Sequence, residues 1–394
     1  MASQKIVRTR EEFLQFASPL LGQEEIDGVV ECLRSGWLTT GRKARAFEDD
    51  FRTYVGSRHA LAVNSCSAAL HLALEAVGVR EGDEVITSPM TFTATAAAIE
   101  HLGARPVFVD CEADTLNLDP RGLEERVGPK TRAILPVHFG GAACDMDAIL
   151  AVARAHGLAV VEDAAHALPT RYHGRLVGTI GDVTCFSFYV TKNVTTGEGG
   201  MVTTEHDEYA ERMRLMHLHG MSRDAWRRYT ENGAWSYEVL APGFKYNLSD
   251  IAAAIGIPQL RNCDRFHARR IEIAKRYDDA FSPLAEVNIP AVPDAAAHSW
   301  HLYVIQLQLP GLRIDRDRFI GEMMARKIGV SVHFIPLHLQ PYYRERYGYR
   351  PDDLPNASAA YQRILSLPIY AKMSDTDVED VIAAVRDIVE THRR

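Results

Sequence analysis

The sequence has no uninterrupted apolar run that approaches the roughly 20 residues needed to span a bilayer. Its opening stretch, MASQKIVRTREEFLQF, lacks the apolar core of a signal peptide, so neither a membrane-spanning helix nor export is expected, and a cytoplasmic location is. It also has no Lys/Arg-rich block. With 44 Lys and Arg against 52 Asp and Glu the net charge is -8, which leaves a nucleic acid no cationic stripe from which to release counterions. The six cysteines, Cys32, Cys66, Cys111, Cys144, Cys185 and Cys263, are widely separated and form no C-x-x-C pair. Neither a disulfide framework nor a zinc knuckle is expected; the thiols should be reduced and mostly buried. Sixteen histidines invite a metal reading, but the closest pair, His217 and His219, would point to different sides of a helix. No metal site is expected, and internal repeats and low-complexity tracts are missing as well.

What is present is an ordinary globular composition, 46% hydrophobic and 24% charged over 394 residues, long enough for two domains. From Leu61 to Thr204 short apolar runs alternate with helical stretches: HALAV leads through NSCS into AALHLALEAVG, and DEVITS through PMTF into TATAAAIEHLG. RAILPVHF leads through GGAACDMD into AILAVARAHG, which returns as LAVVEDAAHA. Asp145 or Asp147 can cap the helix that follows, and Gly78, Gly103 and Gly157 suit C′ positions. Such units specify an α/β fold with a mainly parallel sheet covered by helices on both faces. After APGFKYNLSD the pattern becomes a long helical run from about 251 to 281, interrupted at Pro258. A strand WHLYVIQLQL, a helix, a second strand VSVHFIPL and a C-terminal helix follow. The expected division is a large domain over 1–247 and a small α+β domain over 248–394, with the first residues packing on the latter.

In an open parallel sheet, ligands bind beyond the C-terminal ends of the strands. Four strand ends stand out. NSCSA offers Ser65, Ser67 and helix N-terminal N–H groups to an anion; SPMTF offers the ring of Phe92. VVEDAA offers Asp163 at the exit of an apolar run, and FSFYVTKNVTTGEGG offers Lys192 before a glycine-rich turn, with Ser187 on the same strand. Singly, each has a plain structural reading: a helix cap, a core phenylalanine, a cap for the next helix, a solvated lysine. Together they complement pyridoxal 5′-phosphate (PLP). Its phosphate needs donors at a helix N-terminus, its ring an aromatic face, its pyridine nitrogen a carboxylate, and its aldehyde a lysine amine.

These residues are similar to blocks of a known group, the fold type I, PLP-dependent sugar aminotransferases of the DegT/DnrJ/StrS family. SGWLTTG, EGDEVITSP, PVHFGG, VEDAAHA, FSFYVTKNVTTGEGGMV, GFKYNLSDIAAAIG and SVHFIPLH resemble that family's blocks, in its order. The resemblance implies that Lys192 carries the cofactor and that Asp163 pairs with the pyridine nitrogen. It implies that Ser67, the backbone of Ala68 and Ser187 hold the phosphate, that Phe92 stacks on the ring, and that His166 lies near the 3′-hydroxyl. Asn247 would reach the phosphate in the neighbouring subunit, making a homodimer with shared sites, and His333 would lie near the sugar. The implied reaction moves an amino group from L-glutamate to a nucleotide-linked keto sugar. HSWHLYVIQ, APGFKYNL and HGMSRDAW resemble enzymes of UDP-linked 4-keto sugars, used for surface polysaccharide, lipid or glycan building blocks. The alternatives are a dTDP-3-keto-sugar or aminocyclitol/aminoshikimate-type enzyme, and a non-catalytic regulator on the same scaffold. One departure is Cys66, where the family usually has glycine or alanine.

Overall fold

The computed structural model describes residues 10–222, 237–292 and 298–394. Part of the HGMSRDAW segment and the first nine residues therefore lie outside the described residues.

The alternating first half forms a seven-stranded sheet. Its strands are β1 (His59–Val63), β2 (Glu84–Thr87), β3 (Arg105–Phe108), β4 (Thr131–Leu135), β5 (Ala159–Asp163), β8 (Val183–Ser187) and β9 (Gly200–Thr204). The short β6 (Arg171–Tyr172) and β7 (Arg175–Leu176) make a separate hairpin. The order is β1-β9-β8-β5-β4-β2-β3, and only β9 runs against its neighbours. The other six strands thus end at one edge, and β9 begins there with Gly200 opposite both Val63 and Ser187.

Helices cover both faces because the strands are apolar on both sides. α3 (Cys66–Ala76), α4 (Thr93–Glu100) and α6 (Asp207–Met216) pack on one face through residues such as Leu70, Leu74, Ile99 and Met213. α5 (Met146–His156) covers part of the other through Ile149, and α2 (Arg42–Val55) brings Phe47 and Phe51 against Phe186 and Phe188. Asp145 caps α5, its carboxylate accepting from Ala148 N–H at 3.1 Å, and Gly157 ends that helix at φ 63°.

The long helical run divides into α7 (Asp250–Arg261) and α8 (Cys263–Phe281). Pro258 stays inside α7; the break falls at Asn262, whose backbone and side-chain N–H groups both turn back to the Pro258 carbonyl. α7 does not share the small unit's core, although it follows residue 247. Its Ala253, Ile257 and Leu260 sit with Phe47 and Phe51, beside α1 (Gln23–Ser35) and α2. The Asp250 carboxylate joins the elements by accepting from the N–H groups of Gly41, Lys43 and Ala44 at the start of α2.

The smaller unit packs α8, α9 (Arg316–Ala325) and α12 (Asp375–His392) on a three-stranded sheet of β10 (Val287–Asn288), β11 (Tyr303–Leu307) and β12 (Ile364–Leu367). Leu14 enters this core, and Arg10 pairs with Asp377 and Asp380 of α12. The expected strand VSVHFIPL is absent. Ser331 makes a single antiparallel bridge to Ser366, and the chain then leaves the sheet toward Pro336, which has no N–H to donate. Its apolar Val332, Phe334 and Leu337 instead pack in a core with Met90, Phe108 and Phe139, near α10 (Pro341–Tyr347) and α11 (Pro355–Tyr361). That shared core joins the two units.

Candidate active site

Asp163 is the last residue of β5 and is 4% exposed. Its backbone is pinned to the end of β4, donating to the Pro136 carbonyl at 2.9 Å and accepting from His138 N–H at 3.1 Å. Its carboxylate accepts from the Thr95 hydroxyl at Oδ2 (2.8 Å) and from Ala165 N–H at Oδ1 (3.1 Å), neither of them a cation. Burial raises this carboxyl above its ordinary pKa, although those hydrogen bonds and Lys192 pull the other way. A cation laid against it would complete its stabilisation.

Lys192 lies beyond the end of β8, where the chain folds back on itself. Lys192 N–H donates to Tyr189 O at 2.9 Å, Thr196 N–H to Phe188 O at 3.0 Å, and Phe188 N–H to Gly199 O at 2.9 Å. Asn193 ties this loop to distant segments, donating to Leu168 O at 2.9 Å and Ser299 O at 2.8 Å. The Lys192 side chain is half-buried yet closely ringed by protein, and this desolvation lowers its amine to about 8 against the opposing pull of the Asp163 carboxylate. Lys192 is therefore a lysine that can shed its proton near neutral pH.

Between β1 and β8 lies the start of α3. Ser65 caps it, its hydroxyl accepting from Ala68 N–H at 3.1 Å; Ser67 is exposed on the first turn. First-turn N–H groups have no partner within their own helix, so Cys66 and Ser67 present donors, while Ala68 N–H is shared with the cap. Ser187 faces the same place from β8, separated from it only by Gly200. A Cβ at Gly200 would lie 2.8 Å from the Ser65 carbonyl carbon and 2.9 Å from Cys66 N, so the absent side chain lets the three strands close around the helix start. The arrangement fits an anion, and with Lys192 and Asp163 it fits PLP.

His166 has its protonation pattern set by the backbone. Gly140 N–H donates to its Nδ1 at 3.2 Å, which places the ring proton on Nε2. The ring stacks on Phe334 (5.9 Å, 18°) and lies 4.4 Å from the ring of His301. Burial, with the nearby Lys192 charge, holds His166 and His301 well below the ordinary histidine range and His333 at about 4. All three are neutral at pH 7. His333 sits in the extended segment rather than in a strand, with Nδ1 2.8 Å from the Ser366 hydroxyl. Phe92 precedes α4 and is 60% exposed, at a cavity of about 810 Å³ also lined by Phe334, Ile335 and Tyr342. Asn247 bridges Val63 at the end of β1, donates to the Thr40 hydroxyl at 2.5 Å and accepts from Lys245.

Lys192, Asp163, His166, Ser187 and the Ser67–Ala68 turn thus gather at one sheet edge. The profile of the DegT/DnrJ/EryC1/StrS aminotransferase family matches residues 19–386. The chain belongs to that family. It is 54% identical to the spore coat polysaccharide biosynthesis protein SpsC of Bacillus subtilis over 386 residues, 98% of this chain and 99% of SpsC. Spr1654 of Streptococcus pneumoniae, solved in a PMP form, superposes with a TM-score of 0.90 at 34% identity, covering 96% and 99% of the two chains. PseC of Helicobacter pylori, an aminotransferase in pseudoaminic acid biosynthesis, gives 0.90 at 28% identity, covering 96% of this chain and all of PseC. The protein is accordingly a PLP-dependent sugar aminotransferase of fold type I.

Several residues of this aminotransferase's site escape sequence reasoning. Thr95 touches Asp163, Cys66 lies within electrostatic reach of both Lys192 and Asp163, and His301 packs on His166. Behind the site, fully buried His138 and Glu162 pair at 2.9 Å. Cys144 N–H donates to His138 Nδ1, so His138 donates from Nε2 to the Glu162 carboxylate, which also accepts from Gly181 N–H and the Thr184 hydroxyl. His138 lies in PVHFGG and Glu162 in VEDAAHA, blocks that by themselves give neither residue a role. Among the described residues no group of His, Cys, Asp and Glu could hold a metal, and no helix is long and apolar enough to cross a membrane.

Proposed function

We propose that the enzyme transfers an amino group from L-glutamate to the C4 keto group of a UDP-linked sugar, with Lys192 as its catalytic base and cofactor-carrying residue. The observation that carries the site assignment is the enclosure of an amine at about 8 together with a buried carboxylate, at the edge where Gly200 lets the strands close against the start of α3. Kinship with SpsC and PseC supports a sugar substrate bound for surface glycan. Bound PLP supplies an electron sink for the substrate's amino-bearing carbon.

The chain's residues divide the remaining work. Lys192 Nζ, in the neutral form that its enclosure makes accessible near pH 7, would accept the proton from that carbon and deliver it at the cofactor's C4′ in the first half-reaction, and would carry a proton the opposite way, from C4′ to the sugar carbon, in the second. Asp163 holds the proton on the pyridine nitrogen, and His166, with its proton on Nε2, donates toward the 3′-oxygen. Ser67, Ser187 and the first-turn N–H groups of α3, including that of Ala68, hold the phosphate. Phe92 would cover the ring, and His333 would help shape the sugar end. Asn247 reaches the site of a second subunit, so the working unit is a homodimer.

The test is a purified-protein spectrum with borohydride reduction and peptide mapping, then glutamate with a panel of nucleotide keto sugars. The expected results are a reduced adduct on Lys192 and turnover of a UDP-4-keto sugar. An adduct elsewhere, or Lys192→Ala still aminating sugar, overturns the site assignment; turnover of dTDP-3-keto sugars alone overturns the substrate.

A further inference from the structure

Thr91 and Thr95 are each 1% exposed, and their hydroxyl oxygens lie 2.6 Å apart. Thr95 Oγ1 is also 2.8 Å from Asp163 Oδ2. An ionised carboxylate only accepts, so the single hydroxyl proton of Thr95 points at Asp163. The short contact between the threonines must then be donated by Thr91. The hydrogen bonds run one way, from Thr91 through Thr95 to Asp163, in a region closed to water. With Ala165 N–H on the other oxygen, the carboxylate's orientation is fixed from two sides.

We propose that this threonine relay keeps Asp163 ionised and aimed at the ring nitrogen of the bound cofactor, making Thr95 a positioning residue for the reaction. The proposal rests on the assignment of Asp163 above. Thr95 N–H donates to the Phe92 carbonyl at 3.2 Å, so one helix start sets both the residue over the ring and the residue behind the carboxylate. The other groups facing Asp163 are Lys192, His138, Cys66 and Cys185. Both thiols are neutral at pH 7, since burial raises them well above their ordinary range. His138 spends its Nε2 proton on Glu162. The threonine relay is thus the neutral donor to this carboxylate from a side chain, while Lys192 and, behind it, His138 favour its ionised form by charge.

The experiment measures the PLP dissociation constant of the full-length protein by removing and retitrating the cofactor, alongside the visible spectrum. Thr95→Val keeps the shape and removes the donor, and should weaken PLP ~10- to 100-fold, the scale of a hydrogen bond to a charged group. Thr91→Val should lose less, under ~10-fold, and Thr95→Ser should stay within ~3-fold of wild type. Equal affinity for Thr95→Val and wild type, or an equal loss in Thr95→Ser, overturns the relay. If Thr95→Val does not fold, the other two decide: a loss in Thr91→Val with Thr95→Ser unchanged supports the relay, and no loss in Thr91→Val overturns it. Asp163→Asn separates the two readings. Unchanged PLP affinity and spectrum there would sink the Asp163 assignment itself, whereas a loss there without one in Thr95→Val sinks the relay alone.

Discussion

Lys192 offers a quantitative test, because its chemistry depends on how much amine is neutral. Enclosure moves the amine from an ordinary 10.5 to about 8. At pH 7 an amine titrating near 8 is roughly 10% neutral, against roughly 0.03% for an exposed lysine, a difference of ~300-fold. The assay is the rate at which the full-length chain, freed of cofactor, captures PLP between about pH 6 and about pH 10, trapped with borohydride and mapped. The rate at Lys192 should rise with a midpoint near 8 and then level off. A rate still climbing at about pH 10, or equal labelling of other lysines, would refute the argument from enclosure. The same shift has a thermodynamic face. Between about 8 and 10.5 the unfolded chain binds a proton at this residue and the native chain does not, so stability rises with pH across that window. Below it the cost of the enclosed amine is fully present, at up to ~3 kcal/mol. Cofactor-free Lys192→Met should therefore be more stable than wild type at pH 7, and the gain should fade as the pH approaches 10.5.

Two other substitutions probe the scaffold. Gly200→Ala pushes a Cβ into the Ser65–Cys66 backbone and should weaken PLP by ~10-fold or more, while capture of pyridoxal, which lacks the phosphate, changes less; equal losses would mean that the glycine does not serve the anion. Glu162→Gln should cost ~3 kcal/mol in urea unfolding at pH 7, because one amide oxygen cannot serve the donors from His138, Gly181 and Thr184. Burial alone would raise the Glu162 carboxyl, but those contacts outweigh it and hold it below its ordinary 4.5, so the penalty should shrink as the pH falls through the folded value; a constant penalty would contradict the pairing.

Much of this fold can be read from local patterns, since each main strand is an apolar run closed by a turn signal and each cap acts within a few residues. Ser65, Asp145 and Ser249 cap their helices within that reach. Features that depend on distant partners cannot be read this way. Asp250 looks like part of a local cap, yet its carboxylate serves α2, more than 200 residues earlier. VSVHFIPL has a strand's alternation, but the small sheet accepts it at one residue only and the apolar side chains find another core. Pro258 reads as a helix break, but α7 runs through it because its neighbours bury the surrounding turn.

The same distinction separates the legible part of the site from the rest. Asp163 and Lys192 become legible only in combination, because each alone reads as a helix cap or a solvated lysine and only with NSCSA and Phe92 at neighbouring strand ends do they complement one cofactor. Thr95 does not, because a threonine in the first turn of a helix is unremarked until Asp163, 68 residues away, is brought against it. Once assembled, the site holds its charged groups in states that burial disfavours: the carboxyl of Asp163 is raised and the amine of Lys192 lowered. A ligand with a cationic ring nitrogen relieves the first, and bonding to the amine removes the second from titration. Binding such a ligand would therefore offset the energy these buried groups cost the fold, so the placement that sets their pKa values also favours a ligand with a cationic ring and a carbonyl.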